Sequence, residues 1–120
     1  MSRAQRSCLL LWMLAFAIGT TTHLRDVLAN GWSPRPDVPL AIGLFWKALT
    51  FIDPLAIVLL ATRRRLGLAL GLAVMIADVL VNSYVWHRLD VPGLAMAIQL
   101  QTLFLGFVLG SIAFLWRART

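Results

Sequence analysis

The sequence predicts an all-α integral membrane protein, a bundle of four transmembrane helices, and three observations support this prediction. Hydrophobic residues make up 60% of the 120 residues, while charged residues make up only 13%. The mean hydropathy is +0.82. The apolar residues fall into four long runs separated by short polar segments. A helix needs about 20 apolar residues to cross a bilayer, and each run is long enough.

The limits of the runs define the predicted helices. Helices are expected over about residues 7–29, 38–62, 66–86 and 94–116. Asn30 and Gly31 follow the first run, three arginines separate the second from the third, and Pro92 and Gly93 precede the fourth. Such residues commonly end a helix or begin a turn. Because four helices and short loops use nearly the whole chain, we expect a single membrane domain over residues 1–120.

The arginines are distributed unevenly between the two sides of the predicted bundle. One side carries seven arginines: Arg3, Arg6, Arg63, Arg64, Arg65, Arg117 and Arg119. The other side carries three arginines and three aspartates: Arg25, Arg35, Arg88, Asp26, Asp37 and Asp90. Loops rich in arginine stay in the cytoplasm. We therefore expect a multi-pass protein of the inner or plasma membrane with both termini in the cytoplasm.

An alternative interpretation of the first run is a cleaved signal peptide. Basic residues precede an apolar stretch that leads to Ala15-Phe16-Ala17, which matches the A-x-A pattern of a cleavage site. The apolar run continues through Ile18 and Gly19, which favours a retained transmembrane helix.

Charge and motif content exclude several classes of function. The net charge is +6, but the basic residues flank apolar runs, which indicates membrane topology rather than nucleic-acid binding. Cys8 is the single cysteine, so the chain has no C-x-x-C redox pair. The sequence contains no nucleophile motif, phosphate-binding loop or dinucleotide fingerprint. No set of histidine, cysteine and aspartate has metal-ligand spacing. We expect no cofactor, no metal and no nucleic-acid partner.

Polar residues recur within all four predicted helices, in the middle to outer half of the membrane. The candidate ligand-binding residues are His23, Lys47, Thr50, Asp53, Asp78, Asn82 and Gln99. A charge in hydrocarbon costs about 2.5 to 3.5 kcal/mol, so Lys47, Asp53 and Asp78 should face the bundle interior. Their depths predict an ion pair between Lys47 and Asp78, with Asp53 less compensated. Pro54 follows Asp53 and removes a backbone hydrogen bond there.

Glycines share helix faces with these polar residues and predict close helix contacts. Gly67 and Gly71 form a G-x-x-x-G pair in line with Asp78. Gly106 and Gly110 continue the face of Gln99 on the fourth helix. We expect the four glycines to pack the helices together or to form a homo-oligomer interface.

Three hypotheses for the function follow. In the first, the polar cluster lines an intramembrane pocket that binds a small amphiphilic or lipid-like ligand, with acid–base chemistry open to Asp53, Asp78 and His23. In the second, titratable intramembrane aspartates serve an oligomeric proton-coupled small transporter. In the third, the chain is a structural or accessory membrane subunit whose polar groups specify packing. Membrane lipids are expected partners in each, and the sequence leaves open whether the chain is an enzyme.

Overall fold

The computed structural model describes residues 1–119 and shows four α-helices joined by short connections. They are α1 (Arg3–Asn30), α2 (Leu40–Thr62), α3 (Arg64–Leu89) and α4 (Leu94–Trp116). No strand occurs within residues 1–119. All four helices are long and apolar enough to cross a membrane. The prediction of an all-α bundle with four membrane-length helices is confirmed.

The ends of the helices follow from local chemistry. Ser2 accepts a hydrogen bond from the backbone N–H of Gln5, whose side chain accepts one from the backbone of Ser2. This capping box starts α1 at Arg3, before the apolar run begins. Gly31 ends α1 with φ 74°, a backbone conformation that favours glycine. Between α2 and α3 only Arg63 is non-helical, so the two helices form a tight hairpin.

The helices pack in chain order around the bundle. α1 packs on α2, α2 on α3 and α3 on α4, while α1 and α4 make the least extensive contact. The bundle measures 47 × 25 × 19 Å, so its long axis exceeds the roughly 30 Å of bilayer hydrocarbon. The looser junction between α1 and α4 leaves room for a cavity.

The predicted arginine-rich side is one physical end of the bundle. Arg64 donates to the carbonyls of Leu115 at 3.0 Å and Ala118 at 2.5 Å. The side chain of Gln5 donates to the carbonyl of Phe114 at 3.1 Å. These contacts bring the N-terminus, the α2–α3 turn and the C-terminal end of α4 together. The assignment of this end to the cytoplasm stays a prediction.

The opposite end is closed by residues 31–39, which fold back over the start of α2. The guanidinium of Arg35 donates twice to the carboxylate of Asp37, at 2.9 and 2.6 Å. These hydrogen bonds lower the pKa of Asp37 below its ordinary value. The same guanidinium lies 5.0 Å from the ring centre of Trp46, in a cation–π contact. The cation–π contact therefore holds the loop against α2.

The predicted glycine contacts hold on α3 and fail on α4. A Cβ on Gly67 would collide with the backbone of Leu60, and a Cβ on Gly71 would lie 3.0 Å from the ring of Trp12. Both glycines are buried against other helices of the same chain, and their role in a homo-oligomer stays a prediction. Gly106 and Gly110 are exposed, with nothing within 4 Å of an added Cβ. The expectation that the α4 glycines face the bundle interior is wrong, and their role in a homo-oligomer stays a prediction.

Gly67→Ala should destabilise the bundle, because its Cβ meets backbone that cannot move independently of α2. Overpacking of this kind costs about 1 to 3 kcal/mol. The matched control is Gly106→Ala, where the added methyl meets open space and should be neutral or slightly stabilising. The free energy of unfolding in mixed micelles checks both variants. Equal stability of the two variants would contradict the packing of α2 on α3.

Candidate functional site

A cavity of about 340 Å³ lies between α1 and α4, in the half of the bundle away from the arginine-rich end. Its lining comes from all four helices: Ala15, Phe16, Ile18, Gly19, Thr22 and His23 of α1, Asp53 of α2, Met75 and Asp78 of α3, and Ala97, Leu100, Gln101 and Phe104 of α4. Asp53, Met75 and Asp78 are buried and form the floor, while Ile18 and Leu100 are 60% and 59% exposed at the mouth. The cavity therefore opens sideways through the loose α1–α4 junction.

The floor of the cavity holds two carboxylates with unused hydrogen-bonding capacity. Asp53 is 3% exposed and Asp78 is 5% exposed. Within residues 1–119, the Oδ1 atom of each has no hydrogen-bond partner. A buried polar atom without a partner costs about 1 to 3 kcal/mol, and more when it is charged. Both carboxylates therefore have acceptor capacity that the chain leaves unused, and each Oδ1 atom is itself inaccessible to solvent.

His23 is the cavity's other titratable side chain. Its Nε2 atom lies 3.8 Å from Oδ2 of Asp53, close enough for an ion pair but too long for a direct hydrogen bond. The expectation that Asp53 is the less compensated carboxylate is wrong, because His23 faces it. Asp78 makes no ion pair with any residue of the described chain. The polar end of the cavity is a histidine and two carboxylates, with acid and base within one site.

Two features of the backbone make room for Asp53. An added Cβ on Gly19 would lie 2.5 Å from Oδ2 of Asp53, so only glycine lets this carboxylate lie against α1. α2 continues through Pro54, which has no N–H to donate to the carbonyl of Thr50. The hydroxyl of Thr50 also lacks a partner among residues 1–119. Unpaired polar atoms thus concentrate on one stretch of α2.

Lys47 does not reach Asp78, so the predicted ion pair between them is wrong. The Nζ atom of Lys47 donates to the carbonyl of Gly31 at 2.8 Å, and the residue is 7% exposed. That carbonyl lies just beyond the C-terminal end of α1. The carbonyl groups at a helix C-terminus carry partial negative charge and attract cations. Lys47 is buried, as predicted, but it binds the loop after α1 and does not pair with a carboxylate.

Asn82 joins three helices through its side-chain amide. Its Oδ1 atom accepts from Nε1 of Trp46 at 2.8 Å, and its Nδ2 donates to Oε1 of Gln101 at 2.8 Å. Gln101, absent from the predicted site, lines the cavity, while Gln99 is exposed on the outer face of α4. The expectation that Gln99 faces the interior is wrong. The spacing of Ala97, Gln101 and Phe104 at i, i+4 and i+7 is the signal that identifies the inner face.

The structure therefore brings together three of the seven predicted site residues, His23, Asp53 and Asp78, in one cavity. Asn82 lies beside the cavity and is hydrogen-bonded to Gln101, which lines it. Lys47 and Thr50 are buried outside the lining. Within residues 1–119, no group of three or more histidine, cysteine, aspartate or glutamate side chains is placed to hold a metal ion. Comparison with protein families, curated proteins and solved structures finds no match to this chain.

Gln101→Leu should destabilise the bundle by about 1 to 3 kcal/mol, because Nδ2 of Asn82 loses its acceptor inside an apolar bundle. Gln99→Leu is the matched control and should be close to neutral, because Gln99 is exposed. Thermal unfolding of both variants in one detergent compares them. If Gln99→Leu costs more than Gln101→Leu, the rotation of α4 described above is incorrect.

Proposed function

We propose that this chain is a multi-pass membrane protein whose lateral cavity binds one small amphiphile. The apolar outer surface supports a membrane location: Leu28 and Leu103 are 76% and 74% exposed, and many large apolar side chains share such exposure. A contiguous apolar surface of this kind is unfavourable in water and favourable in lipid. The four membrane-length helices agree with this placement.

The observation that carries the binding proposal is the pair of carboxylates, each with an unpartnered oxygen, on the floor of a laterally open cavity. A volume of about 340 Å³ falls at the lower end of the about 300 to 1,000 Å³ typical of small-molecule sites. The walls are apolar, with Ala15, Phe16 and Phe104 around the polar floor. Apolar walls with a few convergent polar groups are typical of a ligand pocket.

The chemistry of the floor favours a ligand whose head group donates hydrogen bonds. Carboxylates accept hydrogen bonds and the chain leaves part of this capacity unused, so a hydroxyl or a similar donor complements the floor. The tail of the ligand would leave between Ile18 and Leu100, where the cavity meets the outer surface. An isoprenoid or sterol-like alcohol has both features. Any acid–base reaction on such a head group would use His23, Asp53 and Asp78.

Asp53→Asn should leave the fold intact and lower the amount of co-purifying ligand at least about tenfold, the loss expected when about 1.4 kcal/mol of binding energy is removed. The asparagine has nearly the same shape but offers an amide in place of a carboxylate. The control is Asp90→Asn, because Asp90 is exposed in a loop and its φ of 52° suits asparagine. Native mass spectrometry in a mild detergent, followed by solvent extraction, measures retained small molecules.

Other outcomes of that measurement would reject the binding proposal. Equal retention by wild type and Asp53→Asn would remove the site assignment. A ligand-free complex with a second protein would favour the accessory-subunit hypothesis. A ligand-free oligomer that carries protons in liposomes, with Asp53→Asn abolishing the flux, would favour the transporter hypothesis.

Gly19→Ala should weaken ligand retention without unfolding the bundle. The added methyl would lie 2.5 Å from Oδ2 of Asp53, and the flexible carboxylate is the group that gives way. Gly110→Ala is the control, because its methyl meets nothing within 4 Å. Retention is measured as for Asp53→Asn. A Gly19→Ala variant that binds like wild type would show that the position of this carboxylate does not matter.

A further inference from the structure

A second cavity, of about 440 Å³, lies at the arginine-rich end and is separate from the lateral cavity. It is lined by Met1 and Leu9 from the N-terminal segment and α1, and by residues 60–66 across the α2–α3 turn. The polar part of its wall is the run of three arginines, Arg63 to Arg65. Leu9, Leu60 and Leu66 make the apolar part.

No aspartate or glutamate side chain of residues 1–119 lies at this end. The sequence contains no glutamate, and each of its five aspartates lies elsewhere. Asp26, Asp37 and Asp90 lie toward the opposite end, and Asp53 and Asp78 form the floor of the lateral cavity. Within residues 1–119, the seven arginines therefore produce a positive field with no carboxylate side chain at the same end.

The three arginines of the turn differ in what they contact. Arg64 donates to the carbonyls of Leu115 and Ala118, and Arg65 donates to the carbonyl of Trp116 at 3.2 Å. Arg63 is exposed, and its side chain makes no hydrogen bond or ion pair with residues 1–119. Arg64 and Arg65 thus donate to carbonyls at the C-terminal end of α4. Arg63 remains able to pair with an anion.

The start of α3 adds hydrogen-bond donors to the same place. No side chain caps α3 at Arg63, and the first backbone N–H that bonds back into the turn is that of Gly67. The N–H groups before it have no acceptor within the helix. Such a helix start attracts anions, phosphate in particular. The uncapped turn, the unpaired guanidinium and the cavity coincide.

We propose that this second cavity binds the phosphate of an anionic glycerophospholipid of the adjoining leaflet. The phosphate would lie against Arg63 and the start of α3, and an acyl chain would follow Leu66, which is 55% exposed at the apolar surface. The apolar wall distinguishes a lipid from a free phosphate ion. The inference shares the membrane location proposed above but does not depend on the amphiphile in the lateral cavity.

The test is lipid titration of the full chain in mild detergent, read by native mass spectrometry. The probes are phosphatidylglycerol, phosphatidylcholine with the same acyl chains, and inorganic phosphate. Wild type should bind one phosphatidylglycerol in preference to phosphatidylcholine. Arg63→Gln should weaken phosphatidylglycerol binding about fivefold, the usual contribution of one basic residue at an anionic lipid surface. Arg3→Gln is the control, because Arg3 is exposed at the same end but outside the cavity.

Three results would overturn the proposal. Equal weakening by Arg63→Gln and Arg3→Gln would indicate a diffuse charge effect rather than a site. Equal binding of both lipids would remove the role of net lipid charge. Displacement of phosphatidylglycerol by an equal concentration of inorganic phosphate would show that the ligand is a free anion. Asp53→Asn should bind phosphatidylglycerol like wild type, which separates failure of this site from failure of the lateral cavity.

Discussion

Polar groups buried in an apolar bundle must find partners within the chain, and this requirement organises the structure. Where the requirement is met, the contacts join helices that are distant in sequence. Trp12 donates to Ser111 at 2.9 Å and ties α1 to α4. Asn82 joins α2, α3 and α4 through Trp46 and Gln101. A buried polar group without a hydrogen-bond partner costs free energy. These hydrogen bonds therefore fix the rotation of each helix about its axis.

Not every buried polar group finds a partner. Asp53 and Asp78 each keep an unpartnered oxygen, and both residues lie on the floor of the lateral cavity. Asp53 and Asp78 bring four carboxylate oxygens to a region where the chain supplies His23 at 3.8 Å and few other partners. Aromatic packing explains why the helices do not close over them. Phe104 of α4 meets Trp12 and Phe16 of α1 edge to face, with ring centres 6.3 and 5.8 Å apart. Phe16 and Phe104 line the cavity, so this aromatic contact forms part of its wall and holds α1 and α4 apart there.

Sequence patterns were sufficient for the helices but not for every helix face. Long apolar runs predict the four helices because hydropathy and length are properties of local sequence. The predicted inner face of α4 is wrong because apolar residues surround this helix on all sides, so hydropathy alone does not separate the stripe of Gln99 from that of Gln101. The spacing of Ala97 and Phe104 relative to Gln101 is the additional signal that favours the second stripe. The predicted ion pair of Lys47 with Asp78 is wrong because Lys47 donates instead to the backbone carbonyl of Gly31. Gly31 lies in a loop, and sequence patterns do not predict the path of a loop. Asp53 and Asp78 are both buried inside the bundle, as expected, since the cost of a charge in apolar surroundings restricts both to the interior.

The two cavities differ in the charged side chains that line them. Arg63, Arg64 and Arg65 line the cavity at the arginine-rich end, whereas His23, Asp53 and Asp78 line the lateral cavity. Gln101 is 15 residues before Trp116, which places the lateral cavity about 22 Å from the arginine-rich end. In the proposed membrane placement, with hydrocarbon about 30 Å thick, that depth would fall in the leaflet farther from the arginines. An anionic lipid held at the arginine end would fix the depth of the bundle, and the mouth between Ile18 and Leu100 would then face the acyl chains of the opposite leaflet. A ligand of the lateral cavity would therefore enter sideways from that leaflet, head group first toward the two carboxylates.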